Sequence, residues 1–130
     1  MEATVLIVDD SKLARIVMKK AISALQPDWT IIEASSALSC VAMVDAHAID
    51  VIVVDFNMPE RDGLSLAAEL RDRFTEMPIA LVTANLQDDV IAEAKALGVT
   101  FIPKPVSDET MRGFVSGAAL KLRSGGRPAE

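Results

Sequence analysis

The sequence predicts an α/β domain: a doubly wound, five-stranded parallel sheet, (β/α)5, with helices on both faces. Three observations carry this. Short β-branched apolar runs alternate with longer stretches of helical periodicity along the chain, the pattern of βαβ units. The run Val51-Ile52-Val53-Val54 has no polar residue at alternate positions, as a central strand covered on both faces requires. Hydrophobic residues make up 51% of the 130 residues and aromatics only 4%, so Ala, Val, Leu and Ile must fill the interior.

The elements follow in order. TVLIV at 4–8 is the first strand and ends in Asp9-Asp10. Ser11 is placed to cap a helix over 12–25, in which Leu13, Ile16, Val17, Ala21 and Ala24 recur at helical spacing, with Pro27 beyond its end. WTIIE at 29–33 is the second strand, and Ser35-Ser36 can cap a helix over 37–47. The third strand, 50–54, runs into Asp55; Met58-Pro59 and Gly63 shape the exit loop, Pro by fixing φ and Gly by permitting φ > 0. A helix over 64–75 presents Leu66, Ala67, Leu70 and Phe74. IALVT ends the fourth strand at Thr83, a helix covers about 87–97, and Gly98 suits the position after it. The fifth strand, 99–102, ends in Pro103-Lys104-Pro105. Ser107 caps the last helix, whose apolar face is Met111, Phe114, Val115, Ala118 and Leu122; Gly113 and Gly117 weaken it. One domain over 1–123 and a disordered tail over 124–130 are expected.

Composition narrows the function. The net charge of −6 argues against binding to phosphate backbones or anionic lipid. A single cysteine, Cys40, excludes an internal disulfide and a cysteine-based metal cage. No apolar run approaches a membrane span and no signal-type leader opens the chain, so a cytoplasmic location is expected.

The chemistry lies at the strand ends. Asp9-Asp10, Asp55, Thr83 and Lys104 each terminate a strand, and in a parallel sheet these ends converge on one edge, where ligands bind. Three close carboxylates repel one another and need a compensating cation. Lys104 supplies one charge; an oxygen-rich site with few protein ligands suits Mg²⁺, which keeps waters and takes up phosphate oxygens. One carboxylate can then act as a nucleophile toward phosphorus, while Lys104 and the Thr83 hydroxyl hold phosphoryl oxygens.

With VDD at 8–10, DFNMPERDG at 55–63, LVTAN at 81–85 and FIPKP at 101–105, each at a strand end, the sequence resembles the CheY-like receiver domains of two-component response regulators over roughly residues 3–123. The resemblance implies the flavodoxin- and CheY-like strand order 2-1-3-4-5. It implies that Asp55 accepts a phosphoryl group from a sensor histidine kinase or histidine phosphotransfer protein. Asp10 and Asp55 would bind Mg²⁺ directly, Asp9 directly or through water, and the Asn57 backbone carbonyl would complete the protein ligands. Thr83 and Lys104 would bind the phosphoryl oxygens, and small Ala84 would leave room for a bulky donor. Thr83 and Phe101 would act as the switch pair, Phe101 standing where the family has Tyr or Phe and lacking a hydroxyl. The Lys104-Pro105 bond would be cis. A phosphorylated state would alter the surface of the fourth helix, fifth strand and fifth helix for a downstream protein, or relay the group onward. The expected state is a monomer or a weak, phosphorylation-dependent dimer, with no direct nucleic-acid or membrane contact, and the only catalysis is of the protein's own phosphorylation and dephosphorylation.

Each residue taken singly has a plainer reading: Asp9-Asp10 a helix cap, Asp55 a turn residue, Thr83 a strand residue, Lys104 an exposed cation, Phe101 half-buried packing. Trp29 reads as edge packing, His47 as an exposed helix end, Cys40 as a small buried hydrophobe, and Asp88, Asp89 and Glu93 as a solvated face. The set gives the first five their functional weight. The rival readings are three. A haloacid dehalogenase-like phosphohydrolase wants an acid two residues after its nucleophile, where this chain has Asn57. A flavodoxin-like cofactor binder wants a phosphate loop where this chain has DDSKLA. The last is an interaction module with an inert site.

Overall fold

The computed structural model describes residues 3–84 and 86–125. Strands β1 (Thr4–Val8), β2 (Thr30–Ala34), β3 (Val51–Asp55), β4 (Ile79–Thr83) and β5 (Thr100–Pro103) alternate with helices α1 (Lys12–Leu25), α2 (Ala37–Ala46), α3 (Gly63–Arg73), α4 (Asp88–Ala96) and α5 (Asp108–Gly125). All strand pairs are parallel, in the expected order β2-β1-β3-β4-β5. α5 includes Ser124 and Gly125, which the sequence reading assigns to the tail; the remainder, 126–130, lies outside the described residues.

The uninterrupted apolar strands serve two cores in alternation, because successive side chains leave a strand on opposite faces. Leu6, Val8, Ile52, Val54 and Leu81 pack with α2, α3 and α4 through Cys40, Val44, Leu66, Leu70 and Ala94. Val5, Ile7, Val51, Val53, Val82 and Ile102 pack with α1 and α5 through Met18, Ile22, Met111, Phe114 and Val115. Trp29, expected at an edge, is buried in this second core.

The α1 face differs from expectation. Met18, Ala21 and Ile22 are buried, whereas Leu13 is 72% exposed and Ile16, Val17 and Ala24 also face outward. The helix carries apolar residues on two sides, and periodicity alone does not say which side meets the sheet. The α5 face is as expected: Met111, Phe114, Val115, Ala118 and Leu122 are all buried.

The caps are local. Ser11, Ser36 and Asp62 accept backbone N–H bonds from Ala14, Ser39 and Ser65. Gly98 ends the α4 region at φ 68°, a conformation that favours glycine. Gly63 has no positive φ; it is needed for space. A Cβ there would lie 2.8 Å from the Asp55 carbonyl carbon, 2.9 Å from Phe56 Cα and closer still to the Asp55 carbonyl oxygen.

Candidate functional site: an acidic cluster at the carboxyl edge of the sheet

β1 and β3 are neighbours, with Val5 beside Val51 and Ile7 beside Val53. Two residues further along each strand, the same pleat carries Asp9 and Asp55 to the α1/α5 side of the sheet edge. Asp9, Asp10 and Asp55 each bring a carboxylate oxygen within 4.8 Å of the others. Asp9 and Asp55 are each 2% exposed, and Asp10 is exposed.

β5 contributes Lys104. Its N–H donates to the Thr83 carbonyl at 3.0 Å, continuing the β4–β5 ladder past its last residue, and Lys104-Pro105 is cis. The ammonium Nζ lies 2.7 Å from Asp55 Oδ1. That contact is an ion pair. Thr83 is fully buried at the end of β4; Ala84 is exposed; Phe101 is partly buried on β5 beside Leu81. Asn57 is exposed, and its backbone N–H favours the ionised Asp55 carboxylate. Sequence order thus scatters Asp9, Asp10, Asp55 and Lys104 over the chain, and the fold gathers them.

Burial raises the Asp55 carboxyl above the ordinary range, opposed by Lys104 and reinforced by the charge of Asp10. Burial likewise pushes Asp9 up to about 6; the Ser11 N–H opposes the shift, and the Asp55 charge adds to it. Asp9 Oδ1 accepts the Ser11 N–H at 2.9 Å, but its Oδ2 is buried without a hydrogen-bond partner among the described residues. A buried carboxylate oxygen with no donor costs free energy unless a proton or a cation meets it. Three carboxylates facing one ammonium, all hard oxygen donors, fit a divalent cation of the Mg²⁺ type.

Sequence reasoning missed Arg15 and Glu33. Arg15 Nη1 donates to the Asp9 carbonyl at 2.6 Å and its Nε donates to Glu33 Oε1 at 2.9 Å. It also missed Glu60, on the loop after Asp55, whose carboxylate accepts the Ala37 N–H at the start of α2 at 2.8 Å. The Arg15–Glu33 and Glu60–Ala37 contacts join residues far apart in sequence, and no local pattern signals them.

A doubly wound α/β domain with an acidic, lysine-bearing site at its strand ends is a recognisable class, and comparison resolves the family. The profile of the response regulator receiver domain matches residues 5–116, and the chain belongs to that family, the receiver domains of two-component signalling. It is 33% identical over 111 residues to chemotaxis protein CheY1 of Helicobacter pylori (strain J99), covering 82% of this chain and 89% of that protein. It is 29% identical over 122 residues to the cyclic di-GMP phosphodiesterase response regulator RpfG of Xanthomonas campestris, of which the match covers only 32%. Among solved structures, chemotaxis response regulator CheY4 of Vibrio cholerae superposes with a TM-score of 0.78 at 25% identity, covering 91% of this chain and 99% of that one. Receiver domains generally bind Mg²⁺ at an acidic pocket, the character of the Asp9, Asp10 and Asp55 cluster. No helix among the described residues is long and apolar enough to cross a membrane.

Proposed function

We propose that this receiver domain is a phosphorylation-controlled switch in which Asp55 is the phosphoacceptor. The observation that carries the reading is the buried Asp55 carboxylate, 2.7 Å from Lys104 and within 4.8 Å of the Asp9 and Asp10 carboxylates. An Asp55 oxygen attacks phosphorus in line with the bond to a donor imidazole nitrogen. That P–N bond breaks, and the donor histidine leaves with the electron pair. Lys104 then pairs with a phosphoryl oxygen, and the Thr83 hydroxyl, at the adjacent strand end, donates to another. Exposed Ala84 leaves the approach open to a bulky donor.

Asp10, Asp55, Asp9 and the Asn57 carbonyl are the residues that would hold Mg²⁺. Bound there, the ion neutralises charge on the phosphoryl oxygens.

The donor is a sensor histidine kinase or histidine phosphotransfer protein. A groove between α1 and the β5–α5 connection runs from Lys104 and Pro105 past Leu13 and Val17, so the mouth of the site has an apolar margin. The new charge, about −1.5 to −2, biases Thr83 and Phe101 and with them the α4–β5–α5 surface. A downstream protein reads that surface, or the group passes to another histidine. The expected setting is a cytoplasmic pathway, with a monomer or weak phosphorylation-dependent dimer and no direct nucleic-acid contact, in keeping with the net charge of −6. The protein turns over no external substrate: a phosphohydrolase would need an acid where Asn57 stands.

The test is amide NMR with beryllofluoride and Mg²⁺. Shifts spreading from Asp55 to Phe101 and α4 in wild type, and absent in Asp55→Asn, are expected. Shifts confined to the strand ends would leave a site without a switch.

A further inference from the structure

We infer that Arg15 is a positioning residue for the paired acids and sets the affinity of the site for Mg²⁺; the inference rests on the metal-site reading above. Arg15 lies on the second turn of α1, with its side chain 15% exposed. Its guanidinium makes two bonds in different directions. Nη1 donates to the carbonyl of Asp9 at 2.6 Å, and Nε donates to Glu33 Oε1 at 2.9 Å. The Asp9 carbonyl belongs to the peptide that joins Asp9 to Asp10, so one side chain fixes the plane between the two acids.

Asp9 is thereby held at every polar atom but one. Its N–H donates to the Ala34 carbonyl at 3.1 Å, its Oδ1 accepts the Ser11 N–H at 2.9 Å, and its carbonyl accepts from Arg15. Oδ2 alone is buried without a partner among the described residues. A residue pinned on three sides cannot swing that oxygen away from the cluster. This is preorganisation of a ligand set by groups behind it.

The same side chain brings a positive charge toward a site for a cation, which opposes binding. Glu33 offsets this charge: it pairs with Arg15 at 2.9 Å and with Lys19 at 3.8 Å. β2 puts Glu33 there by pairing with β1, Ile7 beside Glu33.

Positioning and charge predict opposite signs, so substitution separates them. Arg15→Met removes both the bonds and the charge; Arg15→Lys keeps the charge and loses the two-pronged grip. The experiment is Mg²⁺ titration by isothermal calorimetry on the unphosphorylated full chain, with metal-free melting by circular dichroism beside it. The expected result is affinity weakened about tenfold or more in both variants, the range of residues that orient metal ligands, in protein that still melts cooperatively. Unchanged or tighter binding in Arg15→Met would overturn the inference. If that variant does not fold, Arg15→Lys decides, and wild-type affinity in it would overturn the inference equally. Failure of the wild type to bind Mg²⁺ is a different result: it overturns the metal-site reading, and this inference with it.

Discussion

Replacing Gly63 by alanine inserts a methyl group into the backbone that carries Asp55. The added Cβ would stand 2.8 Å from the Asp55 carbonyl carbon and 2.9 Å from Phe56 Cα, with the Asp55 carbonyl oxygen nearer still. Each of these atoms is backbone, and none can rotate away. β3 is fixed on the far side, since Asp55 sits beside Val82 and the Phe56 N–H donates to the Val82 carbonyl at 2.9 Å. Relief must therefore come from the start of α3. Moving it breaks the bond from the Gly63 N–H to the Phe56 carbonyl, 2.8 Å, and loosens the Asp62 cap on Ser65, 2.7 Å. Overpacking costs ~1–3 kcal/mol, the lost bond ~1 kcal/mol and the cap ~1 kcal/mol. A loss of roughly 3–5 kcal/mol is expected, a large part of a domain's ~5–15 kcal/mol. Urea unfolding of Gly63→Ala reads it. Gly113→Ala and Gly117→Ala are the controls: their added Cβ atoms meet nothing within 4 Å, and both lie inside α5. They should gain ~0.5–1 kcal/mol by helix propensity. A Gly63→Ala midpoint equal to wild type would refute the packing argument.

Three further outcomes are expected. Arg71 donates to five carbonyls, those of Leu97, Phe74, Thr75, Met77 and Gly98, at 2.8–3.2 Å, clasping the ends of α3 and α4; Arg71→Met should lose ~3 kcal/mol in denaturant titration, and Arg71→Lys should recover only part. Without divalent metal, Asp9 takes up its proton at about 6 in the folded chain against 3.8 as its ordinary value. The folded state then binds that proton more tightly than the unfolded one. The associated stability is fully present below pH ~4 and is lost as pH rises through about 6, on the order of 3 kcal/mol. Metal-free melting from pH 4 to 7 should show wild type losing stability relative to Asp9→Asn, and saturating Mg²⁺ should remove the difference. Burial pushes the Cys40 thiol up to about 12, so it should resist a maleimide at pH 7.5 in the folded protein and react in urea.

The fold was legible because the strands are short apolar runs, and the site was legible because four of the five are closed by polar residues, Asp9-Asp10, Asp55, Thr83 and Lys104. What periodicity could not decide was orientation. α1 carries Leu13, Ile16 and Val17 on one side and Met18, Ala21 and Ile22 on another, and only contact with the sheet selects the second. Gly63 was read as a source of backbone freedom, whereas the close approach of α3 to β3 is what demands it. Glu33 carries no local signal, since its pairing with Arg15 exists only once β2 lies beside β1, and the bond from Arg15 to the Asp9 carbonyl depends on how α1 packs back on the end of β1.

The central claim is that Asp55 is the phosphoacceptor. Intact mass after incubation with acetyl phosphate and Mg²⁺ tests it most directly, with Asp55→Asn and an EDTA-treated sample in parallel. One added phosphoryl group on wild type alone, dependent on metal, is the predicted result. A phosphoryl group on Asp55→Asn, or a wild type that takes up none and shows no beryllofluoride binding while folded, would contradict it.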